Sequence, residues 1–262
     1  MEEKNVIEIG GSVDKALKGE YVITPKKVLE EAWRNTHTTR WTINVGLLFV
    51  MVLGMLSSVI VSSYLGGIEK VFEDPQASLV LNIVVTIVIW PFLAGVEMMG
   101  VLHAVGLKTQ PKLIFAFLKR GSWVALCAVL TSLFISLGLQ LLIIPGIFLA
   151  VALSLTIPLV VEKKMSPANA IVTSIKALRF QWFNIFLVYL ALVGALLLAL
   201  LPMALTAQSE LMIFAGVIFI VMMTYIAPLY YNVKGILYRE IFGMKLHAVH
   251  ADKPMVDDTF IA

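Results

Sequence analysis

Six long apolar runs, at about residues 41–66, 78–103, 122–144, 147–162, 182–205 and 211–233, alternate with short polar gaps along this 262-residue chain. The hydrocarbon core of a bilayer needs about 20 apolar residues per helical span, and most of the runs reach that length. They are solid, whereas the strands of a membrane barrel alternate apolar and polar residues over segments of about 10. The pattern predicts an all-α integral membrane protein with six transmembrane helices. The third and fourth runs are nearly continuous from Ser122 to Glu162. As a single helix they would extend about 60 Å, twice the hydrocarbon thickness. Pro145 and Gly146 are expected to divide them at a tight turn, because proline cannot continue a helix and glycine tolerates the turn.

Charge turns the six runs into three hairpins. Lys26, Lys27, Arg34 and Arg40 precede the first run; Lys108, Lys112, Lys119 and Arg120 separate the second and third. Lys163, Lys164, Lys176 and Arg179 follow the fourth, and Lys234, Arg239 and Lys245 follow the sixth, while the other three gaps hold only Lys70. Basic loops stay on the cytoplasmic side, so both termini are expected inside. Residues 1–22 read as a polar cytoplasmic arm without the apolar core of a signal peptide. Residues 23–243 form the membrane domain, and 244–262 a cytoplasmic tail whose acidic-apolar end reads as disordered rather than as a docking peptide.

Composition agrees with this placement. The chain is 60% hydrophobic and 14% charged, with mean hydropathy +0.92, too apolar for a water-soluble domain. The formal charge of +3 is small and sits in the basic loops; it implies orientation and contact with membrane lipid headgroups, not nucleic acid. The single cysteine, Cys127, excludes an internal disulfide and a cysteine metal cluster.

A weak repeat runs through the three hairpins. Thr24-Pro25 to Trp41, Gln110-Pro111 to Trp123 and Ser166-Pro167 to Trp182 each begin at a proline and enter the membrane at a tryptophan. Each is expected to form a cytoplasmic amphipathic helix in the interface plane, capped by Thr24 or Ser166 where these precede the proline. In the third, Ala170, Ile171, Ser174, Ala177, Leu178 and Phe180 make the apolar stripe. The returning spans carry Pro91, Pro158 and Pro228 in their second halves, each expected to kink its helix, with a neighbour satisfying the freed carbonyl.

Chemistry-bearing residues are sparse. There is no HExxH zinc motif, no Gly-x-Ser-x-Gly elbow and no aspartate within the six runs, so neither catalysis, a metal nor a cofactor is expected. Glu97 stands out as an acid within a span, a functional candidate by its cost alone. It lies six residues after Pro91, and Lys164 and Lys234 lie at the same offset from Pro158 and Pro228. Glu97 is therefore expected to pair with one of these lysines as an ionic lock closing one end of the bundle. Asn82, Thr86, Gln140 and Tyr225 are the candidates for lining a cavity. Ala191, Ala195 and Ala199, beside Gly194, suggest a close packing seam.

The stretch Leu142-Ile143-Ile144-Pro145-Gly146-Ile147, a short span ending Pro158-Leu159-Val160-Val161-Glu162, and Ser166-Pro167-Ala168-Asn169-Ala170 with Ser174 resembles the YciC-like bacterial inner-membrane family. It is also similar to the membrane domain of some glycerophosphodiester phosphodiesterases. Leu237-Tyr238-Arg239-Glu240 and Gly243 resemble the end of that family's last helix, and the likeness covers roughly residues 100–243. The resemblance implies a six-span protein of the bacterial cytoplasmic membrane and no particular chemistry. The expected function is a non-catalytic component that interacts with lipids or a membrane partner in envelope or lipid organisation. The alternative is a transporter of a small or amphipathic solute.

Overall fold

Proline, aspartate, serine and glycine set the helix boundaries in the computed structural model, which describes residues 6–247. Helix α1 (Val13–Lys18) opens on Ser12, whose Oγ accepts the Lys15 N–H at 3.2 Å, and closes on Gly19 at φ 76°. Helix α2 (Pro25–Tyr64) leads through the short α3 (Ile68–Glu73) to α4 (Pro75–Ala104). The last starts with proline at its first position, behind an Asp74 carboxylate that accepts the Gln76 N–H at 2.8 Å. Then follow α5 (Gly121–Leu141), α6 (Ile143–Ala152), α7 (Thr156–Val161), α8 (Pro167–Leu178), α9 (Trp182–Thr206) and α10 (Met212–Phe242). A two-stranded antiparallel ladder joins β1 (Val6–Ile9) to β2 (Met244–His247), pairing Glu8 with Lys245.

Among the described residues, six helical segments are long and apolar enough to cross a bilayer: Pro25–Tyr64, Pro75–Ala104, Pro111–Leu141, Ile143–Val161, Pro167–Thr206 and Met212–Phe242. The chain is an all-α, multi-pass membrane protein. Helices α2, α4 and α10 pack at its centre. The last two cross where Gly100 meets Gly235: a Cβ on Gly235 would overlap the Gly100 carbonyl, and one on Gly100 the Tyr231 carbonyl. Such close approach needs small residues at the crossing. Above it, Leu237, Tyr238 and Phe242 of α10 are buried with Leu159 and Leu178 of α7 and α8.

Several boundaries differ from the sequence reading. No in-plane helix precedes Trp41, because α2 runs unbroken for 40 residues, about 60 Å. Polarity changes along it, but no residue breaks the backbone, and Thr24 makes no side-chain capping bond. The second amphipathic segment is two 3-10 turns, Pro111–Phe115 and Leu118–Arg120, tucked against Gly95 through Ile114. Only the third is a separate helix, α8, with Ser166 Oγ accepting the Asn169 N–H at 3.4 Å. Its stripe is covered by protein: Ala170, Ser174, Ala177 and Leu178 are fully buried, Ile171 is buried, and Phe180 is exposed.

The third and fourth spans separate at Leu142 (ψ 135°), three residues before Pro145. Proline's ring crowds the carbonyl four residues earlier, so the helix stops at Leu141 and Pro145 sits in the first turn of α6. Gly138 and Gly146 let the two helices close up, a Cβ on Gly138 lying 3.0 Å from the Gly146 Cα. The alanine seam on α9 does not form as expected: Ala199 is buried, but Ala191 is exposed and Gly194 faces open space. The N-terminal arm is folded onto the body, with the Gly11 N–H donating to the Arg239 carbonyl at 2.9 Å. Of the tail expected at 244–262, residues 244–247 form β2 and pair with the N-terminal arm, and 248–262 lie outside the described residues.

Candidate functional site

The fourth span is not one kinked helix but two short ones. Pro158 has no N–H to give to the carbonyl of Ser154, four residues earlier, and its ring crowds that carbonyl. Helix α6 therefore ends at Ala152, residues 153–155 form a turn, and α7 restarts at Thr156, whose Oγ1 donates to the Leu153 carbonyl at 2.8 Å. The same rule acts on α10, where Pro228 frees the Thr224 carbonyl. There the helix stays intact, and Asn44 of α2 donates its Nδ2 to that carbonyl at 2.9 Å.

The turn at 153–155 opens on a cavity of about 660 Å³ bounded by α4, α5, α6, α7, α9 and α10. Most of its wall is apolar, including Trp90, Ile135, Leu139, Ile147, Phe186 and Val193. Part of it is polar. Glu97 comes from α4 and Lys234 from α10, brought together because both helices cross at Gly100 and Gly235. Their side chains, 2% and 5% exposed, form a buried ion pair between Glu97 Oε1 and Lys234 Nζ. The ammonium also lies 5.6 Å from the centre of the Tyr230 ring. Glu97, Ser154 and Tyr189 all belong to the cavity wall, and Glu97 Oε2, Ser154 Oγ and the Tyr189 hydroxyl are buried without a hydrogen-bond partner among the described residues. Ser154 and Tyr189 are close enough to interact but do not meet in hydrogen-bonding geometry. Three unpaired buried oxygens are costly, and together they ask for hydrogen bonds from something in the cavity.

The other residues singled out from sequence lie elsewhere. Lys164 is exposed, at φ 53°, and its carbonyl accepts from Arg120 Nη2 at 3.0 Å. The offset that brings Lys234 to Glu97 fails for Lys164 because α7 stops at Val161, whereas α4 and α10 continue past Glu97 and Lys234. None of the proposed lining residues reaches the cavity. Asn82 is exposed and donates to the Ser78 carbonyl of its own helix at 2.9 Å. Gln140 is exposed at the end of α5, and Thr86 sits half-buried on α4 outside the cavity wall. Tyr225 belongs to an aromatic group with Trp33 and His37, under an Arg40 guanidinium 4.0 Å from its ring centre. Ser154 and Tyr189 escaped the sequence reading. The signal for Ser154 was present, four residues before a proline; nothing marks Tyr189 within its apolar run.

Two further polar groups tie the bundle together and are well satisfied. His103 meets Asn232 Oδ1 at 3.1 Å and Thr109 Oγ1 at 2.7 Å, and Asn232 Nδ2 donates to Thr36 Oγ1 at 3.0 Å. Arg239 pairs with Glu31 and Glu240, each at 2.6 Å, and donates to the Ala104 carbonyl. A smaller cavity of about 290 Å³ lies beside that arginine. At the strand ladder, Lys245 lies 2.9 Å from Glu8 and holds its carboxyl below the usual range. Burial pushes the Tyr21 phenol up to about 12, and its hydroxyl donates to the Ala177 carbonyl at 2.7 Å.

Fold and site together define a multi-pass α-helical membrane protein with a largely apolar cavity among its helices, carrying a buried ion pair in its wall. Comparison with protein-family models, curated proteins and solved structures finds no match to this chain.

Proposed function

We propose that the protein is a non-catalytic component of a bacterial cytoplasmic membrane that holds an amphipathic molecule of the bilayer in the cavity beside Glu97 and Lys234. The carrying observation is the cavity itself: largely apolar walls that carry a buried ion pair and three unpaired oxygens. Its volume, about 660 Å³, falls within the range of about 300–1,000 Å³ typical of small-molecule sites. The non-catalytic reading is supported by the shortage of reactive groups there. Among the described residues Glu97 is the one carboxylate in the wall, and Lys234 occupies one of its oxygens. The bacterial placement rests on the YciC-like resemblance of residues 100–243. Cytoplasmic termini rest on the basic gaps, which fall on one side of the six spans.

A second reading, transport of the same molecule, is favoured by one observation. Discontinuous spans with their break at a site are a common transporter device, and the turn at 153–155 lines this cavity. The test is quantitative lipid extraction and mass spectrometry on the purified native chain and on Val193→Trp, which fills the cavity from its lipid-facing side. The native chain should retain a particular amphiphile near one per chain, and the variant, with its helical content unchanged by far-ultraviolet circular dichroism, should lose most of it. Equal retention by both proteins contradicts the reading. Movement of the retained molecule between the two leaflets of reconstituted vesicles then distinguishes a carrier from a holder.

A further inference from the structure

Electrostatics in the cavity wall narrows what the cavity accepts. Glu97 and Lys234 form a closed pair with no net charge, so the wall carries no excess charge to balance that of a ligand. The free Oε2 of an ionised Glu97 is only an acceptor, whereas Ser154 and Tyr189 can each give and take a hydrogen bond. A carboxylate or phosphate placed there would face Glu97, leave Oε2 unpaired and add an uncompensated charge in a low-dielectric setting. An ammonium would satisfy Oε2 but leave the cavity with one net positive charge. A hydroxyl satisfies it without adding charge, donating to Oε2 while accepting from Ser154 or Tyr189.

Resting on the reading that the cavity holds an amphiphile, we infer that its ligand class is the uncharged, hydroxyl-headed amphiphiles: a monoacylglycerol or a long-chain alcohol, with its hydroxyl donating to Glu97 Oε2. The apolar walls formed by Trp90, Ile135, Phe186 and Val193 take the chain. The cavity's roughly 660 Å³ suits a single acyl chain.

The experiment is a competition by native mass spectrometry on the purified full chain, using monooleoylglycerol, oleic acid and oleylamine at a pH where the last two are charged. The native chain should bind one monooleoylglycerol at least about 10-fold more tightly than oleate or oleylammonium, the preference expected from one uncompensated buried charge. Tyr189→Phe keeps the ring and removes one hydroxyl, and should weaken monooleoylglycerol roughly 3- to 10-fold while leaving oleate unchanged. Val193→Trp should abolish binding of all three. If the native chain binds oleate or oleylammonium as well as the neutral lipid, the headgroup assignment is overturned while the cavity reading stands. If it binds none of them and Val193→Trp changes nothing, both fall. The ranking on the native chain needs no variant, so a misfolded mutant cannot obscure it.

Discussion

Removing the ammonium of Lys234 while keeping its length, as Lys234→Met, would leave the Glu97 carboxylate alone in a setting where its side chain is 2% exposed. Breaking a buried pair from one side costs about 3–5 kcal/mol, because the remaining charge loses its only compensation. Glu97→Leu strands the ammonium and should cost a similar amount. The exposed Lys26–Glu30 pair, 3.8 Å apart with side chains 84% and 64% exposed, is a useful control worth about 0.5 kcal/mol or less. Replacing both members, Glu97→Leu with Lys234→Met, should return stability to near the native value or above it, because a buried pair and an apolar pair of similar volume differ little. With about 2–4 °C per kcal/mol for a chain of this size, each single variant should melt about 6–20 °C below the native chain in detergent. The coupling energy from the cycle should reach about 3 kcal/mol or more. Single variants within about 1 kcal/mol of native, or a double variant equal to the sum of its parts, would refute the claim that the two charges meet in a dry interior.

Other consequences follow from single contacts. Gly235→Ala places a methyl group against the Gly100 backbone; overpacking of about 1–3 kcal/mol or more should lower the melting temperature, whereas Gly194→Ala, facing open space, should leave it unchanged. Asn44→Leu removes the donor to the Thr224 carbonyl freed by Pro228 and should cost about 1–3 kcal/mol, read by the same melting assay. Tyr21 adds a pH dependence. Burial raises its phenol from 10.0 to about 12, so its contribution is complete below pH 10 and is lost as pH climbs toward 12. Alkaline unfolding curves of the native chain should show that extra fall, and those of Tyr21→Phe should not.

The hydrocarbon-length runs were legible because their apolar length and freedom from charge are unmistakable at bilayer scale. Helix breaks were harder. Trp41 marks a change of surface, not of backbone, so α2 continues past it. Residues 153–155, Leu-Ser-Leu, contain no breaker of their own; the cause stands downstream at Pro158, and a reader counting prolines expects a kink where the structure has a turn. The equal offsets from Pro91 and Pro228 did point to Glu97 and Lys234, since both helices keep their phase over those six residues. Lys164 shares the offset but lies beyond the end of α7, where that phase no longer holds. Asn82 and Gln140 attracted notice as amides in apolar runs, yet which helix face turns inward depends on packing that neither residue reveals. Tyr189, one aromatic among many on α9, acquires meaning only from its neighbours across the cavity.

A structure of the chain in lipid nanodiscs with monooleoylglycerol, determined by cryo-electron microscopy, tests the central claim most directly. The account predicts density for one acyl chain along Trp90, Ile135 and Phe186, with its hydroxyl end within hydrogen-bonding distance of Glu97 Oε2. Side chains closing the space between α4, α5 and α9, or lipid bound only on the outer surface while Glu97 Oε2 pairs with another protein group, would contradict it.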